Sequence, residues 1–235
     1  MGDDIDMNIH GLMKMTLLDF PGKVACTVFL GGCDMRCPFC HNGELLDPNA
    51  PAIMDETELL RFLQTRKGLL DGVVFTGGEP LLRKELPTLL SSIREMGFQI
   101  KLDTNGNHPD RLKEVVEAGL VDYVAMDIKN CPEKYGVTIG IPGFDISKIL
   151  KSVEFLLSGK VDYEFRTTVV SPFHDEGSIH KIGEWIKGAR RYYLQGFVDR
   201  ETVPCRDLQP CSEEQMKAFL QIVRPFVKEA DLRGL

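Results

Sequence analysis

From Val24 to Cys40 the chain reads V-A-C-T-V-F-L-G-G-C-D-M-R-C-P-F-C, a β-branched run followed by a loop with three cysteines. Val24–Leu30 predicts a strand, and the glycine pair and proline that follow predict a loop. The thiols of Cys33, Cys37 and Cys40 can converge on one inorganic centre, whereas a disulfide would leave one sulfur over. Iron–sulfur cubanes are normally held by one cysteine per iron, so three cysteines would leave one iron open for chemistry.

A zinc site is the alternative explanation, with His41 or a distant cysteine as the fourth ligand. Structural zinc sites usually use paired C-x2-C units, and the chain has one such unit. Of the other cysteines, Cys26 is expected in the core. Cys205 and Cys211 are candidates for a second metal site or a redox pair, and Cys131 has no assigned role.

The chain has 235 residues, of which 43% are hydrophobic and 27% charged, and its formal net charge is −7. These values fit an N-terminal extension over 1–20, one main domain over 21–200 and a C-terminal tail with a helix over 201–235. The absence of a basic face predicts no nucleic-acid partner. No apolar stretch reaches the length of a membrane span, and the acidic start lacks the features of a signal peptide. We therefore expect a cytoplasmic protein.

Six strand-then-helix units follow one another along the chain. The predicted strands are Val24–Leu30, Gly72–Thr76, Gln99–Thr104, Tyr123–Asp127, Tyr163–Val170 and Arg191–Gln195. The predicted helices are Glu56–Lys67 with Asp55 as its cap, Glu85–Met96, 109–119, Ser147–Ser158, Ser178–Gly188 and one that starts at Ser212. This alternation predicts an α/β fold with a parallel sheet and helices outside. Six units are fewer than the eight of a closed barrel, so we expect a partial (β/α)6 barrel with an open side.

Glycines and polar side chains follow the ends of the predicted strands. Gly77-Gly78-Glu79-Pro80 follows the second strand, Asp103 lies at the end of the third, and Asp127 ends the fourth with Lys129 just beyond it. Arg166 lies within the fifth strand. Because barrel active sites lie at the carboxyl ends of the strands, we expect these residues to line a site. The alternatives are an ordinary turn for the glycines and a salt bridge for the charged residues.

The sequence resembles the radical S-adenosylmethionine (SAM) enzymes, whose mark is C-x3-C-x-aromatic-C, here with Phe39 before the last cysteine. Within that superfamily it is similar to the glycyl-radical-activating enzymes. The stretches that carry this similarity are Asp19-Phe20-Pro21-Gly22, Cys40-His41-Asn42, Gly77-Gly78-Glu79-Pro80, Leu102-Asp103-Thr104-Asn105-Gly106 and Asp127-Ile128-Lys129. From about Met7 onward it is most similar to the activating proteins of anaerobic ribonucleoside-triphosphate reductases, and next to those of pyruvate formate-lyase.

The resemblance implies a [4Fe-4S] cluster held by Cys33, Cys37 and Cys40, with SAM bound to the fourth iron. It implies that SAM is contacted by Phe39, Gly77, Gly78, Glu79, Asp103, Thr104, Asp127, Lys129, Arg166 and His180. On its own, a histidine such as His180, beside two isoleucines on a helix, is more typical of a surface or core position. A monovalent-cation site is a further implication, formed by Asp103, Thr104, Asp127 and the carbonyl of Ala125.

The implied activity is that of a radical SAM oxidoreductase. SAM would be reductively cleaved to methionine and a 5′-deoxyadenosyl radical, which takes a hydrogen from a glycine Cα of a partner enzyme. The implied partner is the large subunit of anaerobic ribonucleotide reductase, and the electron donor is a flavodoxin or ferredoxin. The alternatives are activation of another glycyl-radical enzyme, such as a pyruvate formate-lyase type, a small-molecule or other peptide substrate, and a regulatory module that binds zinc or a cluster without catalysis.

Overall fold

The computed structural model describes residues 8–47 and 49–234, so the acidic start interpreted above lies outside the described residues. Within them, eight strands form one sheet in chain order. The strands are β1 (Ile9–Thr16), β2 (Ala25–Leu30), β3 (Gly72–Gly77), β4 (Gln99–Thr104), β5 (Tyr123–Asp127), β6 (Asp162–Val169), β7 (Arg191–Gly196) and β8 (Glu229–Arg233). β1 pairs with β2 in antiparallel fashion, and the other neighbouring strands pair in parallel.

Helices follow each strand from β2 to β7, which confirms the predicted partial barrel of six units. They are α1 (Glu56–Gln64), α2 (Leu86–Glu95), α3 (Pro109–Glu117), α4 (Tyr135–Thr138), α5 (Ser147–Leu157), α6 (Glu176–Trp185) and α7 (Glu213–Val223). In the part of the chain that the structure describes, no helix is both long enough and apolar enough to span a membrane.

Reciprocal side-chain caps begin three of these helices. Asp55 accepts a hydrogen bond from the backbone N–H of Glu58, whose carboxylate accepts one from the N–H of Asp55. Ser212 starts α7 in the same way, and Asp175 starts α6. Such a cap satisfies backbone donors that the first turn of a helix leaves unpaired. The predicted starts at Asp55 and Ser212 are therefore confirmed, whereas α6 begins before the predicted Ser178.

Alternate residues of the parallel strands face the helices or the concave side of the sheet. In β4, Ile100 and Leu102 belong to the main hydrophobic core, whereas Lys101 and Asp103 form an ion pair with 2.5 Å between Nζ and Oδ1. A separate small apolar cluster consists of Phe20, Ala25, Val74 and Tyr123. The concave side is thus apolar toward the beginning of the strands and charged toward their carboxyl ends.

The two outer strands were not predicted. β1 lies within the predicted N-terminal extension and contains Gly11, and β8 reads E-A-D-L-R within the predicted C-terminal tail. Glycine and acidic residues are depleted in strands, so their local sequence carries a weak strand signal. Both strands form because their backbones pair with a neighbouring strand, β1 with β2 and β8 with β7.

Candidate active site

A cavity of about 200 Å³ lies at the carboxyl ends of the strands, where the predicted site residues were expected. From the cysteine loop, it is lined by Cys33, Cys37, Phe39 and Cys40. From the loops after β3 and β5 it is lined by Gly78 and Lys129, and from the strands themselves by Gly77, Asp103, Thr104, Asp127 and Arg166. The structure thereby brings together most of the residues that were predicted from separate stretches of the chain.

The cysteine loop, residues 31–40, is anchored at its start by two side chains. His10 on β1 accepts a hydrogen bond from the backbone N–H of Gly31 at 2.9 Å, and the buried Arg83 donates to the Gly31 carbonyl. Near its end, the Pro38 carbonyl accepts from the backbone N–H of Cys205 at 3.1 Å. The loop is therefore held by elements from both ends of the chain.

Burial raises the pKa of Cys33 to about 12 and that of Cys37 to about 11. The neighbouring Cys40 raises the pKa of Cys37 further, whereas the positive charge of Lys129 lowers it. The three sulfurs are therefore close enough to interact, and the thiols of Cys33 and Cys37 are protonated in the protein alone. Ligation by a metal requires thiolates, so its binding would release these protons.

This donor set fits an iron–sulfur cluster. Cysteine thiolates are the soft ligands that such clusters use, and Cys33, Cys37 and Cys40 line one cavity. Among residues 8–47 and 49–234, no three His, Cys, Asp or Glu side chains converge tightly enough to hold a single metal ion. A cluster does not need that convergence, because each thiolate binds a different iron.

The glycine pair after β3 brings two backbones together. Gly77 has φ of 118°, which side chains disfavour. A Cβ at Gly78 would collide with the carbonyl of Gly32, and the N–H of Glu79 donates to that same carbonyl at 2.8 Å. Glycine is therefore required at this point for the loop after β3 to pack against the cysteine loop.

Glu79 is fully buried and is absent from the lining of the cavity. Its carboxylate accepts hydrogen bonds from Thr104 Oγ1 at 2.9 Å, from the backbone N–H of Asn105 at 2.7 Å and from that of Leu81 at 3.0 Å. The expected contact between Glu79 and SAM stays a prediction, and the structure shows the Glu79 carboxylate engaged by protein donors. The bonds from Thr104 and Asn105 tie the carboxylate to the end of β4 and brace the loop that follows it, while the bond from Leu81 is local.

Burial raises the pKa of Glu79 from 4.5 to about 7. The folded state therefore binds a proton more tightly than the unfolded state, and its stability falls as pH rises through this window. We expect the free energy of unfolding of the wild-type protein, relative to Glu79→Gln, to drop by roughly 3 kcal/mol between pH 4.5 and pH 7. Urea unfolding of both proteins across this range measures the difference, and a difference independent of pH would contradict the expectation.

Five charged side chains form a network on the concave side, termed here the charge network. Arg166 bridges two carboxylates, with Nε 3.0 Å from Asp127 Oδ1 and Nη1 3.2 Å from Asp103 Oδ2. Lys101 Nζ donates to Asp103 at 2.5 Å, and Lys129 Nζ donates to Asp127 at 2.9 Å. The parallel register of β5 and β6 places Asp127 opposite Arg166. Three cations thus surround two carboxylates, and all of these residues except Lys101 line the cavity.

The cations keep both carboxylates ionised. Burial raises the pKa of Asp127, but Lys129 and Arg166 outweigh it and hold the pKa at about 2. For Asp103, Arg166 and Lys101 likewise outweigh burial and lower the pKa. All four carboxylate oxygens already have a cationic partner. The monovalent-cation site predicted at Asp103, Thr104, Ala125 and Asp127 stays a prediction, and the structure shows two of its members in the charge network.

His180 does not lie at the cavity. Its side chain is 53% exposed on α6, with Nδ1 3.6 Å from Glu184 and the ring edge-on against Phe226. The expectation that His180 contacts SAM is therefore corrected. Its place on the helix puts it outside the sheet, whereas the cavity lies at the strand ends.

Some lining residues had no role assigned from the sequence. Asn42 and Asn105 belong to stretches that were quoted for the resemblance, yet they line the cavity themselves, as does His41, which was considered only as a zinc ligand. Thr168 and Gln195 line it from β6 and β7. Thr168 is two residues beyond Arg166, so the period-two alternation of a strand was the signal that could have identified it.

The remaining cysteines do not join the cavity lining. Cys26 and Cys131 are buried, which confirms the expectation for Cys26, and Cys205 and Cys211 are partly exposed. All seven cysteines are free thiols. His41, the proposed fourth zinc ligand, stacks on Phe197 with 5.7 Å between ring centres, and its Nε2 has no hydrogen-bond partner among the described residues.

The fold is shared with solved structures. A domain of a pyruvate-formate lyase-activating enzyme from Bacteroides vulgatus matches 69% of this chain and 99% of its own, with a TM-score of 0.57 and 22% identity. SuiB of Streptococcus suis, solved with S-adenosylmethionine, matches 88% of this chain and 52% of its own, with a TM-score of 0.67 and 11% identity. At these identities the likeness concerns the fold.

Sequence comparison is more specific. The model of the radical SAM superfamily matches residues 27–186. A Methanocaldococcus jannaschii protein, provisionally named a glycyl-radical enzyme activating enzyme, is 30% identical over 97% of this chain and 96% of its own. The pyruvate formate-lyase-activating enzyme of Clostridium pasteurianum is 32% identical over 94% of this chain and 98% of its own. The chain therefore belongs to the radical SAM superfamily and, within it, to the glycyl-radical-enzyme activating enzymes.

Proposed function

We propose that this chain installs a glycyl radical on an enzyme of the pyruvate formate-lyase type. The observation that carries the proposal is the joint lining of one cavity by Cys33, Cys37 and Cys40 and by four members of the charge network, Asp103, Asp127, Lys129 and Arg166. The family implies a [4Fe-4S] cluster and SAM. When bound, the cluster supplies the electron that cleaves SAM to methionine and the 5′-deoxyadenosyl radical, which removes a hydrogen atom from glycine Cα.

The charge network supports binding of an amino-acid group. The methionyl part of SAM carries an ammonium and a carboxylate, so its site has to offer both signs of charge. Lys129 and Arg166 offer cations to the carboxylate, whereas Asp127 and Asp103 offer acceptors to the ammonium. These groups are held by one another, so they are oriented before any ligand arrives.

An apolar wall supports binding of the adenosine part. Phe39 is 3% exposed, and its ring packs against Phe173 with 5.8 Å between ring centres. Buried aromatic faces bind flat heterocycles by stacking. The role of Phe39 therefore is to orient the nucleoside at the side of the cavity formed by the cysteine loop.

The open sheet supports access for a protein substrate. In the described residues, β1 and β8 lie at opposite edges and do not pair with each other. A segment of the client enzyme that carries the glycine would reach the cavity through this side. The chain's own residues would then exclude water around the reacting atoms, which protects a reactive intermediate.

The names of the relatives favour this client over the one predicted from the sequence. The Clostridium pasteurianum relative and a 26% identical relative of Escherichia coli are both named as activating enzymes of pyruvate formate-lyase. Neither name supports the anaerobic ribonucleotide reductase that was expected. A flavodoxin or ferredoxin as the electron donor stays a prediction. The regulatory module without catalysis is set aside, because the chain belongs to a family of enzymes.

The test mixes the anaerobically reconstituted protein with SAM, a reductant and one of two candidate clients. The clients are a pyruvate formate-lyase type enzyme and the large subunit of anaerobic ribonucleotide reductase from the same organism. We expect a glycyl radical signal by electron paramagnetic resonance (EPR) with the first client, and its loss when the client's radical glycine is replaced by alanine. A signal with the reductase alone would overturn the client assignment. A protein that forms no 5′-deoxyadenosine with either client would overturn the activity.

A further inference from the structure

Asp34, the residue directly after Cys33, is bound by three side chains of the loop that follows β4. Its Oδ1 accepts a hydrogen bond from Asn105 Nδ2 at 2.7 Å, and its Oδ2 accepts one from Asn107 Nδ2 at 2.6 Å and lies 3.0 Å from His108 Nε2. The cysteine loop is thus tied by one carboxylate to a loop about 70 residues further along the chain.

Asn105 also contacts the sulfur of Cys33. Its Nδ2 lies 3.8 Å from Cys33 Sγ, with the geometry of an N–H···S hydrogen bond. The backbone N–H of Asn105 donates to Glu79 at 2.7 Å, and its Oδ1 accepts from the backbone N–H of Asn107 at 2.9 Å. Because the residue is 6% exposed and fixed at its backbone and its amide oxygen, its amide nitrogen is held between Asp34 and Cys33.

We propose that Asn105 is a positioning residue that holds the Cys33 sulfur through its side-chain N–H and raises the reduction potential of the cluster. This inference rests on the proposed cluster at Cys33, Cys37 and Cys40. The Cys33 sulfur also accepts the backbone N–H of Met35 at 3.4 Å, a contact that side-chain substitution leaves in place. The Asn105 amide is therefore the donor at this sulfur that mutation can remove.

The direction of the effect follows from charge. A cluster becomes more negative when it is reduced, so a hydrogen-bond donor at a ligand sulfur stabilises the reduced form more than the oxidised form. Loss of the donor therefore lowers the potential. Asp34 binds the side-chain amide of Asn105 and Glu79 binds its backbone N–H, which is why a single asparagine can keep this contact in a buried site.

The test compares Asn105→Leu with Asn107→Leu in the reconstituted protein. Both substitutions remove an amide that donates to Asp34, but only Asn105 also contacts the Cys33 sulfur. Iron and sulfide content first establish that each protein carries its cluster, and EPR-monitored reductive titration then gives the midpoint potential. Asn105→Ala replaces the leucine variant if that variant does not fold. A second readout is the exchangeable proton coupling of the reduced cluster, measured by pulsed electron–nuclear double resonance in H2O and D2O.

We expect a lower midpoint potential and the loss of one exchangeable proton coupling in the Asn105 variant, and neither change in Asn107→Leu. An unchanged potential in the Asn105 variant would overturn the inference, as would equal shifts in both variants, since the second result assigns the effect to loop packing. A wild-type protein that assembles no cluster overturns the proposed function and this inference with it. A wild-type cluster with unaltered variant potentials overturns this inference alone.

Discussion

Replacing Cys37 by alanine is expected to reduce SAM cleavage to the background level. Cys37 is 6% exposed and lines the cavity with Cys33 and Cys40, and the loss of one of three thiolates removes the ligand of one iron. The cluster should then be lost or incomplete after anaerobic reconstitution. Iron content, the absorbance of the cluster and the yield of 5′-deoxyadenosine measure the effect.

The matched control is Cys211→Ala, which removes a partly exposed thiol outside the cavity lining. It should keep both the iron content and the SAM cleavage of the wild-type protein. Urea unfolding of the metal-free proteins shows whether a loss of iron reflects a lost ligand or a loss of stability. The wild-type protein, Cys37→Ala and Cys211→Ala should all unfold at similar urea concentrations. Full turnover by reconstituted Cys37→Ala would contradict the cluster assignment.

Replacing Arg166 by methionine is expected to destabilise the metal-free protein by about 2 to 4 kcal/mol. Arg166 is 13% exposed and is the bridge between Asp103 and Asp127. Without it, the two carboxylates face each other across the charge network with one cation fewer. Removing one partner of a buried ion pair costs several kcal/mol, because the remaining charge is left without compensation. Urea unfolding at neutral pH measures the loss.

The control for this change is Arg190→Met. Arg190 pairs with the carboxylate of Asp162, which is also bound by Arg191 and so retains one arginine partner after the substitution. Its side chain is 45% exposed, and exposed pairs contribute less than about 1 kcal/mol. Equal destabilisation by the two substitutions would show that the charge network is no more than a set of surface ion pairs.

The central fold was predictable because its signals are local. Six β-branched runs alternate with amphipathic helices, and the predicted bounds of β4 and β5 match the structure. Caps such as Asp55 act within one turn of helix, so they too can be identified from sequence. β1 and β8 depend on pairing with residues distant in the chain, and no local pattern in Ile9–Thr16 or Glu229–Arg233 carries that information.

The position of a site residue could be predicted from the sequence where it follows from the end of a predicted strand. Asp103, Asp127 and Lys129 were expected at one edge, and the structure places them together. The orientation of a side chain depends instead on partners from other loops. The Glu79 carboxylate, for example, is buried and engaged by Thr104 and Asn105. His180 carries no local mark that distinguishes a ligand from a residue on the outer face of α6.

The anchoring of residues 31–40 has a thermodynamic consequence. His10 bonds to Gly31 from one end of the protein, while Cys205 bonds to Pro38 and Thr202 bonds to His41 from the other. A metal centre bound by the thiols, if it orders residues 31–40, therefore also stabilises the contacts with His10 on one side and with Thr202 and Cys205 on the other. Thermodynamic coupling is equal in both directions. A partner protein that binds and orders either segment would therefore change the affinity of the thiols for the metal without contacting a sulfur atom.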